Sequence, residues 1–395
     1  MTAANETSAV TPRDERRTFG VACGAHALHD GYTDLIYVML PVWQAEFGLS
    51  YAAIGLLRGL FAGTMASLQI PASMLSGRIG AAAVLAGGTA LAGIGYLLAG
   101  MSAGFATLVI ALMIGGLGAS TQHPVASSLV ARAYAGARSL KALGGYNFAG
   151  DIGKMIFPAA LAIMLTLMPW RPALMIVGAI GLLAAIAIFS CTPRLPTERS
   201  DPKAAKAQGA PRGGRFAFPT LLTIGVIDSA TRMGFLTFLP FLLQDKGASL
   251  PLIGTALTLV FAGGAAGKLV CAYIGARIGV VATVCLTEGL TVLAILLLLP
   301  ISLNGAMVLL PLVGIALNGT SSVLYGSVPD LVEPEKRDRA FGIFYTGTIG
   351  SGGIAPFFYG IAGDYFGVFS ALIIEAAICV LTIPLAIILR PAFAR

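Results

Sequence analysis

Residues 19–43 read FGVACGAHALHDGYTDLIYVMLPVW. A membrane-crossing helix takes about 20 predominantly apolar residues, and this run is long enough, yet it carries His26, His29, Asp30 and Asp34. With about 100° of turn per residue, His26, Asp30 and Asp34 fall at roughly 0°, 40° and 80°, and His29, Thr33 and Tyr37 at roughly 300°, 340° and 20°, a polar stripe about 140° wide. A single polar residue in such a run is ordinarily a satisfied packing group. Six on one stripe fit a water-lined passage, with hydrogen bonding between packed helices as the competing reading.

The rest of the chain has the same character. Of 395 residues, 57% are hydrophobic and 11% charged, against roughly 25% charged in an ordinary soluble domain. Such a chain cannot cover a water-soluble globule and is too apolar for disorder. Apolar runs predict twelve helices at roughly 19–43, 51–75, 80–101, 104–131, 140–167, 171–191, 218–243, 251–275, 280–300, 305–328, 340–362 and 367–389. This is an all-α membrane protein: an N-terminal tail (1–18), a six-helix bundle (19–191), a basic linker (192–217), a second six-helix bundle (218–389) and a short tail (390–395). No room is left for a soluble catalytic domain. Nineteen of the 25 Lys and Arg lie in the tails and alternate loops, and the opposite loops hold only Arg171 and Lys246. That asymmetry orients both tails and the linker to the cytoplasm and accounts for the net charge of +7 without a nucleic-acid partner. The first run is too long for the apolar core of a signal peptide and is expected to be retained. Cys23, Cys191, Cys271, Cys285 and Cys379 lie in or at the ends of apolar runs with no CxxC pair, and read as small buried residues.

The two halves repeat. Pro41, Gly48, Ser50, Ile54 and Gly55 recur as Pro240, Gly247, Ser249, Ile253 and Gly254, and Arg78-Ile79-Gly80 returns as Arg277-Ile278-Gly279, all at a shift of 199. Gly144 and Pro158 match Gly342 and Pro356 at a shift of 198. A sustained register across several helices is the mark of a duplicated membrane bundle. A duplicated six-plus-six chain with a basic middle loop resembles the major facilitator superfamily of transporters. In that family the first, fourth, seventh and tenth helices line a central cavity, and the loop after the second helix reads G-x-L-A-D-R-x-G-R. Here Ser73–Gly80 retains only Leu75, Arg78 and Gly80 of that motif, so no gating role is assigned to it. Ala25-His26-Ala27-Leu28-His29-Asp30, Gln44–Ser50 with Ile54-Gly55, Gly116-Leu117-Gly118 with His123-Pro124, and Gly150, Gly153 and Pro158 resemble the fosmidomycin-resistance branch. That resemblance implies proton-coupled efflux of a small compound through the cell inner membrane, by a monomer.

Ten formal charges fall inside predicted helices away from their ends: Asp30, Asp34, Arg58, Asp151, Lys154, Asp228, Arg232, Lys268, Glu288 and Glu375. Each costs about 2.5–3.5 kcal/mol or more at the bilayer centre unless it faces a cavity or a partner. Asp30, Asp34, His26, Asp228, Asp151 and His123 are the candidate proton-coupling residues. Arg232, with Lys154 and Arg58, is expected to hold an anionic or zwitterionic organic substrate, the guanidinium fork suiting carboxylate or phosphonate. Tyr37, Gln122, Asn147, Asn318 and Tyr325 are expected to orient it. Local neutralisation competes for both spaced pairs, Asp228 with Arg232 and Asp151 with Lys154. Glu288 and Glu375 are read as structural, and the glycines of the fifth and eleventh segments as packing positions. Two further readings stand: uptake or exchange of an organic anion, and divalent-metal transport through His26, His29, Asp30, Asp34 and His123. No nucleotide-binding loop or nucleophile elbow is present. The expected partners are therefore a small-molecule substrate, protons and the lipid bilayer, with no cofactor, and no enzymatic activity is expected.

Overall fold

The structure is a computed structural model that describes residues 10–134, 137–193, 195, 214–333 and 336–393. Most of the linker and the outermost tail residues assigned from the sequence lie outside the described residues. The helices are α1 (Pro12–Phe47), α2 (Tyr51–Ser67), α3 (Gln69–Ile79), α4 (Ala81–Gly100), α5 (Phe105–Ala119), α6 (Gln122–Ala133), α7 (Ala137–Leu167) and α8 (Trp170–Cys191). The second half supplies α9 (Ala217–Asp245), α10 (Leu250–Ile278), α11 (Val280–Leu298), α12 (Leu303–Ser327), α13 (Arg337–Val380), α14 (Thr382–Ile388) and α15 (Arg390–Phe393). No strand occurs among the described residues.

Three expected continuous helices are broken, and each break lies at or beside the residue four before a proline. Proline lacks an N–H, and its ring clashes with the carbonyl four residues back. Pro71 ends α2 at Ser67, Pro124 ends α5 beside Ser120, and Pro384 ends α13 at Val380. Among the described residues, nine helices are long and apolar enough to cross a membrane, or ten with the α2–α3 pair, which bends by 42°. The 36-residue α1 is not among them, because its histidines and aspartates lower its hydropathy. The 50-residue span Arg339–Ile388 is turned at Gly367, whose φ of 81° suits glycine. Counting α1 and both arms of that span yields the twelve expected segments.

The repeat is visible in the backbone. Gly48 and Gly247 have φ of 60° and 88°, and Gly80 and Gly279 have 94° and 83°, so the duplicated glycines end corresponding helices in the left-handed region. Pro41 and Pro240 lie inside α1 and α9, and Pro158 and Pro356 inside α7 and α13.

By their contacts the residues form two compact units. The first holds the described residues of Met1–Thr33, Ser67–Lys154 and Arg171–Ala205, the second those of Asp34–Ala66, Met155–Trp170 and Lys206–Arg395. In the first, α4 meets α5 and α8 through glycines: a Cβ on Gly93 would stand 2.7 Å from the Gly178 carbonyl, and one on Gly95 2.6 Å from Gly115. Gly153 of α7 lies directly against the Ala27 carbonyl of α1. In the second unit, Gly55 of α2 abuts the Pro356 carbonyl of α13, while Gly254 of α10 lies against Ala162 and the Pro158 carbonyl of α7. These two contacts use duplicated residues on both sides, so the repeat extends from the chain to its packing. Asp364 accepts the Tyr51 and Ala52 N–H groups at 2.6 and 3.0 Å and closes the α2 N-terminus.

The glycine contacts make a direct prediction. Gly153→Ala must push α1 and α7 apart at a backbone carbonyl, costing about 1–3 kcal/mol, whereas a Cβ on Gly144 meets nothing within 4 Å and Gly144→Ala gains up to about 1 kcal/mol of helix propensity. Thermal unfolding in detergent should separate the two variants in opposite directions. Equal midpoints would contradict the α1–α7 contact.

Candidate functional site

The charged residues gather in separate clusters, and the first unit holds one. His26, His29 and Asp30 come from α1, His123 from α6, and Tyr146 and Lys154 from α7. Helical spacing brings His26 and Asp30 onto one face. Lys154 Nζ lies 3.3 Å from Asp30 Oδ2, while the Nε2 atoms of His26, His29 and His123 lie 3.3, 3.8 and 4.0 Å from Asp30 Oδ1. The histidine rings meet edge to face, His123 with His26 at 5.2 Å and with His29 at 4.8 Å. The His26 ring stacks on Tyr146 at 4.0 Å, and its Nδ1 lies 2.8 Å from the Tyr146 carbonyl oxygen. His26 and Asp30 are 3% and 6% exposed, which removes nearly all water screening. Gln122 is buried beside the Tyr146 hydroxyl. Asp151 is buried in the same helix as Lys154, and Asn147 is exposed. Gly150 admits the cluster: a Cβ there would lie 2.6 Å from Asp30 Oδ2 and 2.8 Å from the His26 ring.

In the second unit, Tyr37 of α1 is fully buried, with Arg58 of α2, Asp34 and Arg232 in electrostatic reach. The Arg58 guanidinium lies over the Tyr37 and Phe61 rings at 5.0 and 5.8 Å, a placement that stabilises a desolvated cation. The Tyr37 hydroxyl donates to Met233 Sδ at 3.4 Å. One turn before Arg232 on α9, Asp228 is buried within electrostatic reach of Arg232 and of the buried Glu288 of α11. Glu288 accepts the Cys379 thiol at 3.1 Å, and nearby the Thr320 hydroxyl donates to Thr287 at 2.6 Å. Glu375, one turn before Cys379, is fully buried with neither carboxyl oxygen hydrogen-bonded.

Lys154 thus reaches across to Asp30, a contact its sequence spacing to Asp151 does not signal. Glu288, read from the sequence as structural, meets Asp228. It is the residue that sequence reasoning missed as a functional candidate, and its one signal was a lone acid in an otherwise apolar run. Asn318 packs against Gly264 of α10 and donates to the Gly314 carbonyl at 3.3 Å. Tyr325 lies among the Phe341 and Tyr345 rings at 4.9 and 4.7 Å.

Comparison with known proteins follows the same lines. The chain is 24% identical over 371 residues to the fosmidomycin resistance protein of Escherichia coli (strain K12), across 91% of this chain and 90% of that one. It is 27% identical over 143 residues to a probable L-galactonate transporter of the same organism, across 36% of this chain and 32% of that one. The solved structure of a bacterial homolog of the human lysosomal transporter Spinster, inward-facing and occupied, matches with a TM-score of 0.81 at 17% identity, covering 97% of this chain and 98% of that one. At that identity the likeness is one of fold. The family model of the Major Facilitator Superfamily matches residues 22–227 and 221–394, almost the whole chain and each half in turn, so this multi-pass helical chain belongs to the Major Facilitator Superfamily and is a membrane transporter, not an enzyme.

Proposed function

We propose that this transporter moves a small organic anion together with a proton, by alternating access between its two six-helix bundles, 19–191 and 218–389. The carrying observation is the burial of the Asp228 and Glu288 carboxyl groups within electrostatic reach of each other and of Arg232. Two carboxylates buried together repel, and one proton held between them relieves that cost. With that proton, the trio carries one negative charge and one positive charge. An anion that engages the Arg232 fork removes the countercharge of the acid pair, and the second carboxylate then takes up a proton. Anion and proton binding reinforce each other, as linkage requires, and both travel on the same leg of the cycle. Arg58 and Tyr37 supply further donors for the anion. The loop charges support a location in the inner membrane with both termini cytoplasmic.

A second reading, proton-coupled efflux, is supported by the similarity to the fosmidomycin resistance protein. It requires the substrate and the proton to exclude each other, so one measurement separates the two.

Two outcomes are expected. In a thermal-shift screen with fosmidomycin and L-galactonate, Arg232→Ala abolishes the stabilisation that wild-type protein shows. Binding equal to wild type would remove Arg232 as the anchor. L-Galactonate stays ionised between about pH 6 and 8, so its affinity reports the protein alone. Co-binding tightens that affinity as pH falls, by up to about tenfold per unit for one linked proton, and Glu288→Gln flattens the dependence. Affinity that weakens as pH falls would instead establish exclusion and favour efflux.

A further inference from the structure

The histidine cluster of the first unit carries a feature that anion–proton transport through Asp228 does not use. His26 Nδ1 lies 2.8 Å from the Tyr146 carbonyl oxygen. A carbonyl only accepts, so Nδ1 holds the ring proton and donates it. In the neutral ring Nε2 is then a bare lone pair. It is buried with no hydrogen-bond partner and stands 3.3 Å from Asp30 Oδ1. Two acceptors face each other across a gap that calls for something positive. His123 Nε2 is 4.0 Å from the same oxygen, and the His26, Asp30 and His123 ligand atoms all lie within 4.8 Å of one another. A backbone carbonyl on the far ring nitrogen is also the arrangement that orients metal-bound imidazoles.

From this geometry we infer that His26, Asp30 and His123 bind a divalent transition ion of the zinc type. Two imidazole nitrogens and one carboxylate oxygen suit zinc in a tetrahedral site with one position open, and do not suit magnesium, which demands an octahedron of oxygens. Zinc bonds of about 2.0–2.2 Å set ligand atoms about 3.3 Å apart, which the His26–Asp30 pair already meets. His123 must close by about 1 Å, and its side chain, 44% exposed, has the freedom to do so. His29, 3.8 Å from Asp30 Oδ1, is within reach of the open position. The opposing group is Lys154, whose ammonium at 3.3 Å from Asp30 Oδ2 must swing off its carboxylate. Lys154 therefore sets the affinity. The ion would tie α1 to α6 within one bundle, independently of the Asp228–Glu288 reading.

The test is calorimetric titration of the purified full-length protein in detergent with zinc chloride, with magnesium chloride in parallel and cobalt chloride followed by visible absorption. Wild-type protein is expected to show one saturable zinc site and none for magnesium. Lys154→Ala should tighten zinc by about tenfold. His123→Gln should weaken it by about tenfold or more and remove the cobalt absorption band. An unchanged thermal midpoint without metal shows that His123→Gln is folded. Absence of a saturable site in both wild type and Lys154→Ala would leave a proton on His26 as the occupant and overturn the proposal. So would a zinc site whose affinity and cobalt spectrum survive His123→Gln.

Discussion

A charged side chain inside a bilayer-spanning helix costs several kcal/mol until something of opposite charge, a hydrogen-bond donor or an aromatic face meets it. That cost organises the interior of this transporter, and the two units meet it differently. In the first, Asp30 has the Lys154 ammonium on one carboxylate oxygen and three imidazoles around the other. In the second, Asp228 and Glu288 are buried within electrostatic reach of the Arg232 guanidinium, and Arg58 lies against aromatic faces.

Bringing such groups together demands that helices approach closely, and glycine is what permits it. Membrane helices lack a hydrophobic force between them and pack by surface fit, which favours small residues. Gly150 and Gly153 let α7 settle onto α1 where His26 and Asp30 project, and Gly234 leaves the space that Glu375 and Tyr359 fill. The packing glycines and the charge clusters are therefore one design: enlarging the former would pull the latter apart.

Much of this is legible in the chain because it is local. Hydropathy over a helix length marks most of the segments, the helical period resolves the stripe on α1, and a shift of 199 residues exposes the duplication. The helix breaks track Pro71, Pro124 and Pro384, since the ring acts four residues back, but Pro41, Pro158, Pro240 and Pro356 lie inside helices that continue past them, so proline alone does not mark a break. What sequence leaves open is which element a buried charge faces. Spacing pairs Lys154 with Asp151, but Lys154 also reaches Asp30 on another helix. Glu288 offers no stripe at all; only the packing of α11 against α12 and α13 brings it to Cys379 and into the electrostatic reach of Asp228. Tyr325 reads as a polar handle, yet aromatic neighbours surround it.

The duplication also explains why the two clusters differ in kind. At the shift of 199, His29 corresponds to Asp228 and Thr33 to Arg232, while His26 and Asp30 correspond to Gly225 and Ser229. Equivalent turns of equivalent helices thus hold imidazoles around one acid in the first half and a fixed acid–base pair in the second. Imidazoles present lone pairs and carry charge only when protonated, so the chemistry of the first cluster suits a cation. A guanidinium never gives up its charge, so that of Arg232 suits an anion. A symmetric ancestor with the same residues in both halves would bind one sign of charge at two places. Divergence at four positions instead places opposite chemistries on matched turns of duplicated helices.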